Sequence, residues 1–186
     1  MPTSNAILPP SKLLMLLLAA ISAGLSACAS SPASKIVVPE NLQVPAAQQF
    51  LAETNASGVQ IYTCSASKTD VNKYEWSFKA PQADLFDAGG KKIGSHYAGP
   101  SWESEDGSKV VAEVKARNDG PAASAIPWLL LIAKSTSGNG VFSKVSYIQR
   151  LATEAGKAPV DGCSKANFGS ELRVPYKALY RYYTAS

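Results

Sequence analysis

From residue 74 the chain reads Tyr-Glu-Trp-Ser-Phe-Lys, aromatic and polar residues alternating one for one. Successive side chains of an extended strand point to opposite faces. The pattern therefore buries Tyr74, Trp76 and Phe78 on one face and turns Glu75, Ser77 and Lys79 to water. Residues 110–117 repeat it, with Val110, Ala112 and Val114 inward and Glu113, Lys115 and Arg117 outward. Residues 172–182 extend it, placing Leu172, Val174, Tyr176, Ala178, Tyr180 and Tyr182 on one side. Pro175 falls on the opposite parity and lacks a ladder donor, which marks that strand as an edge or as bulged. A chain written with this period folds as antiparallel sheet, polar on one side and packed on the other.

The segments between these runs are turn chemistry. Asp87-Ala88-Gly89-Gly90, Asp106-Gly107 and Ser137-Gly138-Asn139-Gly140 each separate two strand-like runs, and Asp-Gly between strands is a strong hairpin signal. The unbroken apolar run Trp128-Leu129-Leu130-Leu131-Ile132 has the length of a strand buried on both faces. Residues 141–151 read as a further strand with broken alternation. Residues 45–54 form the one helical stretch, with Pro45 in the first turn, Phe50 and Leu51 on an apolar side, and Asn55 and Gly58 as stops. The expectation is a single all-β domain over residues 45–186: seven to nine antiparallel strands and one short N-terminal helix. A sandwich and a closed barrel both fit, with a barrel-like sandwich favoured.

The N-terminal residues belong to export. Lys12 precedes the apolar run of residues 13–21, too short to span a bilayer and of the length of a signal-peptide core. Leu25-Ser26-Ala27-Cys28 follows and resembles a bacterial lipobox. On that reading residues 1–27 are a lipoprotein signal peptide, and Cys28 is lipidated and anchors the chain to a membrane. An ordinary signal cleaved near Ala27 or Ala29 is the alternative. Ala29 in place of Asp resembles the outer-membrane pattern, facing the periplasm. Residues 28–44, rich in Ser, Ala and Pro, are expected to be a flexible tether, with pairing of Ile36, Val37 and Val38 as an edge strand the alternative.

Cleavage removes Lys12 as the only charged residue, so the net charge falls from +4 to +3. So mild a surplus argues against nucleic acid as a partner. With Cys28 modified, Cys64 and Cys163 remain, and two cysteines in an oxidised compartment are expected to form a disulfide. A reactive thiol or a metal pair is the alternative, and no metal is expected, since one His and two consumed cysteines make no zinc site. The oxygens of Glu103, Glu105 and Asp106 lack the spacing of a calcium loop and read as a hairpin tip. No cofactor motif occurs.

The sole histidine, His96, lies in Ser-His-Tyr-Ala-Gly-Pro-Ser-Trp-Glu, residues 95–103. His96, Tyr97, Trp102 and Glu103 are the candidate ligand-binding residues, placed at a rim by the Gly99-Pro100 break. Aromatics beside polar groups suit a small molecule or a glycan. Trp76 and Trp128 are assigned to the core. An alternative is a hydrolase in which His96 works with Glu103 or Asp106. A third is a structural surface protein with no ligand.

Several segments, among them "VPENLQVP", "GVQIYTC", "ADLFDAGGKKIGSHYAGPSWE", "DGSKVVAEVKA", "AIPWLLLIAKS" and "GVFSKVSYIQR", resemble a family of secreted bacterial and fungal proteins. That family is catalogued as domain of unknown function 3455. The resemblance runs from about Val38 to the C-terminus. It implies a single secreted domain, and it carries over no catalytic residue, because the family has no assigned activity.

Overall fold

The computed structural model describes residues 1–2 and 36–186. The signal segment, Cys28 and residues 29–35 of the tether lie outside the described residues. Eight antiparallel strands follow one another around a closed barrel: β1 (Gln48–Ala66), β2 (Tyr74–Phe86), β3 (Lys92–Tyr97), β4 (Ser101–Ser104), β5 (Lys109–Asn118), β6 (Trp128–Ser137), β7 (Tyr147–Ala155) and β8 (Glu171–Ala185). Each strand pairs with its sequence neighbour, and β1 closes the ring against β8 from Gln48↔Ala185 to Thr63↔Glu171. The choice between sandwich and barrel thus falls to the barrel. Closure gives each strand a neighbour on both sides over part of its length, while the first half of β2 and the start of β8 have β1 alone beside them.

The expected helix at residues 45–54 is not formed. β1 begins at Gln48, and Phe50 and Leu51 fall at a register shift in the β1–β8 ladder. Beyond it Ala52, Thr54 and Ala56 pack inward, with Thr54 hydrogen-bonded to the Tyr182 hydroxyl at 3.0 Å. Long-range pairing with β8 outweighs a short, weak local helical preference.

The alternation read over residues 110–117 and 172–182 builds the interior, whereas that over residues 74–79 does not: Tyr74 and Trp76 are part-exposed, Phe78 is more than half exposed, and Trp76 is not core. Trp102, Val110, Ala112, Leu129, Leu131, Ile148, Tyr176, Ala178, Tyr180 and Tyr182 meet in one buried cluster. The 128–132 run is buried on both faces, because Trp128 and Leu130 enter a second cluster on the outside of the barrel with Leu42 and Leu151. The cover is the second half of the expected tether. Ile36, Val38 and Val44 pack there around a 3-10 turn, Glu40–Leu42, and Gln149 donates from Nε2 to the Leu42 carbonyl at 2.7 Å. Residues 36–44 are therefore a strap on β6 and β7 rather than a free linker.

Two irregularities shape the open end. At Lys79 the β1–β2 ladder shifts by one residue, so Phe78 opposes Tyr62 and Ala80 opposes Ile61. That bulge changes the parity of β2, and both Phe78 and Pro81 reach the same pocket. The expected strand over residues 141–151 is only half formed: Val141–Lys144 make a 3-10 turn and β7 starts at Tyr147, which is why the alternation there is broken. β7 itself bulges further on, between Leu151 and Glu154, with Ala152 at φ 45°. Pro175 lies beyond the last β7 pair, Ala155↔Tyr176, where β8 has only β1 beside it. Cys64 of β1 and Cys163 of the β7–β8 loop form a disulfide across 99 residues, and Trp76 Nε1 donates to the Asp161 carbonyl of the same loop at 3.1 Å.

Candidate functional site

Ser95-His96-Tyr97 is β3 and Ser101-Trp102-Glu103 is β4, joined by a turn over Ala98, Gly99 and Pro100 whose Gly99-Pro100 peptide is cis. Their register pairs His96 with Trp102 and Ser95 with Glu103. Neighbours along a strand face opposite ways. The four expected rim residues are consequently divided by the sheet. His96 and Trp102 face the interior, 2% and 1% exposed, while Tyr97 and Glu103 are hydrogen-bonded to each other on the outer surface. Lys109 sits over the Tyr97 ring at 5.0 Å. Trp102 is thus a core residue.

The inner pair is locked. The His96 ring stacks on Trp102 at 4.3 Å and 15°, and Tyr180 meets both rings edge-on, at 5.2 and 5.4 Å. His96 Nδ1 lies 2.8 Å from the Ser101 carbonyl. A carbonyl only accepts, so Nδ1 carries the proton and Nε2 is left as an acceptor. Burial pushes the His96 pKa from its ordinary 6.5 to about 3, and the nearby Arg150 cation adds to the effect. His96 is a neutral ring across the physiological range.

These residues floor an open pocket of about 330 Å³, at the lower end of the range for small-molecule sites. Phe78, Pro81, Val114, Leu129 and Leu131 supply apolar walls and Ala98, Gly99 and Pro100 one lip; among the described residues Lys79 and Arg150 are the only charges in the lining and no carboxylate joins them. Phe78 and Val114 are more than half exposed, at 56% and 54%, so the mouth offers apolar surface to solvent. Lys79 is paired with Glu171.

Among the described residues four buried side-chain polar atoms have no hydrogen-bond partner, and two of them, Trp102 Nε1 and Tyr180 Oη, belong to pocket-lining residues. Native interiors satisfy nearly all such groups, so an exception calls for an explanation. The other two, Gln60 Nε2 and Tyr176 Oη, belong to residues grouped around Gly156. Burial raises the pKa of both Tyr176 and Tyr180, so each keeps its phenolic proton.

Neither carboxylate offered to His96 from the sequence touches it. Glu103 is outside the barrel. Asp106 organises the β4–β5 hairpin, accepting from Ser108 N at 2.8 Å and from Val141 N at 2.9 Å. The Ser108 hydroxyl, above all, holds the Asp106 pKa down at about 2. Among the described residues no group of His, Cys, Asp and Glu is placed to hold a metal ion.

Arg150 and Tyr180 are the residues missed as site candidates. Arg150 sits between Leu129 of β6 and Tyr180 of β8, both inward. The signal was present: Arg150 shares the parity of Ile148, so a charged residue occupies a core-facing position.

Searches of curated proteins and of solved structures return no match. A family model described as "Protein of unknown function (DUF3455)" matches residues 45–184, the whole barrel from just before β1 to the last turn of chain in β8. The chain belongs to the DUF3455 family.

Proposed function

We propose that this protein is a binding module, with a small, largely apolar molecule seated in the barrel mouth against Trp102, Tyr180 and His96. The observation that carries the reading is the pair of unpartnered buried donors, Trp102 Nε1–H and Tyr180 O–H, on residues lining an open apolar pocket. A ligand acceptor would satisfy donors that the protein itself leaves unmatched. Acid–base chemistry finds less support. His96 is neutral near pH 7, with its one N–H held by a backbone carbonyl and its basicity lowered by burial. The lipobox at residues 25–28 supports placing the module on a membrane through Cys28, facing the periplasm; palmitate labelling lost in Cys28→Ser tests that anchor.

The neutral fluorophore N-phenyl-1-naphthylamine probes the pocket. Its emission is expected to rise on binding, and Val114→Trp, which narrows the mouth from an exposed position, is expected to weaken the binding by roughly fivefold or more. The melting temperature of that variant should stay within a few degrees of the parent. Binding that is absent, or indifferent to Val114→Trp, would contradict the proposal.

A further inference from the structure

We infer that the ligand of this pocket is an anion, a carboxylate carried on a flat apolar body, and that Arg150 is its anchor. The inference rests on the binding reading above and adds the ligand's charge. Arg150 stands on the inner face of β7, opposite Tyr180 and Leu129, and lines the pocket. Its Nε donates to the Pro127 carbonyl at 3.0 Å, which fixes the plane of the guanidinium. Among the described residues no carboxylate pairs with it, whereas the other cation of the pocket, Lys79, is paired with Glu171. A half-buried guanidinium on an apolar wall lacks the counter-charge that desolvation favours.

His96 Nε2 is an acceptor, whereas the two unpartnered polar atoms of the lining are donors. Trp102 Nε1 can only donate, and the Tyr180 hydroxyl keeps its proton and makes no hydrogen bond of full geometry, although the Tyr176 hydroxyl and Arg150 lie close to it. The Arg150 guanidinium acts on the Tyr180 hydroxyl through its charge and as a near hydrogen-bond donor, just short of full geometry. Three donor-bearing residues, one of them a cation without a carboxylate partner, therefore line a pocket to which no acidic side chain among the described residues contributes. One unpaired cation matches a single negative charge, and the two Nη nitrogens form the fork that a planar carboxylate accepts. A phosphate dianion would require more donors than these walls provide. The apolar walls of Phe78, Pro81, Val114 and Leu129, with the stacked His96–Trp102 pair at the floor, accommodate a flat ring system.

The test is a matched pair of probes, naphthalene-2-carboxylate and naphthalene-2-carboxamide, titrated calorimetrically at neutral pH beside N-phenyl-1-naphthylamine. The carboxylate is expected to bind about tenfold or more tightly than the carboxamide, as charge-assisted hydrogen bonds exceed neutral ones. In Arg150→Met its affinity should fall to that of the carboxamide, whose own affinity changes little, and Arg150→Gln should behave alike. Equal affinities in the unsubstituted protein, or a preference that survives both variants, would overturn the anion assignment. So would binding of N-phenyl-1-naphthylamine alone, and each of these results leaves the binding reading standing. Failure of all three probes would overturn the binding reading itself. The comparison within the unsubstituted protein holds even if a variant does not fold.

Discussion

Trp102→Ala is expected to destabilise the barrel by about 3–5 kcal/mol, the range for removing a large buried aromatic. For a domain of this size that lowers the melting temperature by roughly 10 °C or more. Trp102 is 1% exposed, stacked on His96, edge-on to Tyr180 and paired with Val110 across β4 and β5. Truncation removes those contacts and leaves a void that the closed ring of strands cannot collapse to fill. Trp102→Phe keeps a ring in the stack and is expected to cost less, while removing the Nε1 donor. Thermal unfolding of the two variants separates packing from hydrogen bonding. A Trp102→Ala protein melting within a couple of degrees of the parent would show that this side chain is not core.

Acidification is the second large effect. Folding lowers the His96 pKa from 6.5 to about 3. Between those values the unfolded chain binds a proton that the folded chain does not, so stability is complete above about pH 6.5 and is lost as the pH falls towards 3. The full slope is about 1.4 kcal/mol per pH unit. Urea unfolding between about pH 6 and pH 4.5 is therefore expected to show a loss of about 2 kcal/mol from this residue alone. Asp106, whose pKa is lowered to about 2, acts in a separate window: its contribution is present above the ordinary carboxylate range and is lost below it. His96→Gln keeps a donor for the Ser101 carbonyl and cannot titrate, so its slope above pH 4.5 should flatten. An identical slope in both proteins would assign the acid sensitivity elsewhere.

Period-two alternation located most of the strands, because β5 buries Val110 and Ala112 and β8 buries Tyr176, Ala178, Tyr180 and Tyr182 as their parity dictates, Val114 being left exposed at the mouth. The turns at Asp87–Gly90 and Asp106–Gly107 fall between strands as their residues require. Barrel closure was not legible. It depends on β1 pairing with β8 more than 100 residues away, and neither strand carries a local mark of its partner. The same pairing converted the apparent helix at residues 45–54 into strand. The 128–132 run announced two buried faces, yet nothing in it named residues 36–44 as the cover.

The candidate site was legible in part. The segment holding His96 and Trp102 was singled out, and parity within it already separated His96 from Tyr97 and Trp102 from Glu103. Composition of the segment drew attention to all four, whereas the pleat admits only two to the interior. Arg150 could have been found by noticing a charge in register with Ile148. Lys79 could not, because the bulge that sets it at the mouth leaves no trace in the alternation of residues 74–79.

The central claim is that a small molecule reaches the Trp102 indole from the barrel mouth. The most direct measurement is the indole Nε1–H region of a ¹H–¹⁵N correlation spectrum, where the three tryptophans give three resonances and Trp102→Phe assigns one of them. Titration with naphthalene-2-carboxylate is predicted to shift the Trp102 resonance, as its unpartnered donor gains an acceptor. The Trp76 resonance, already bonded to the Asp161 carbonyl, should stay in place. A Trp102 resonance that does not move while the probe binds, or moves no more than that of Trp76, would contradict the account.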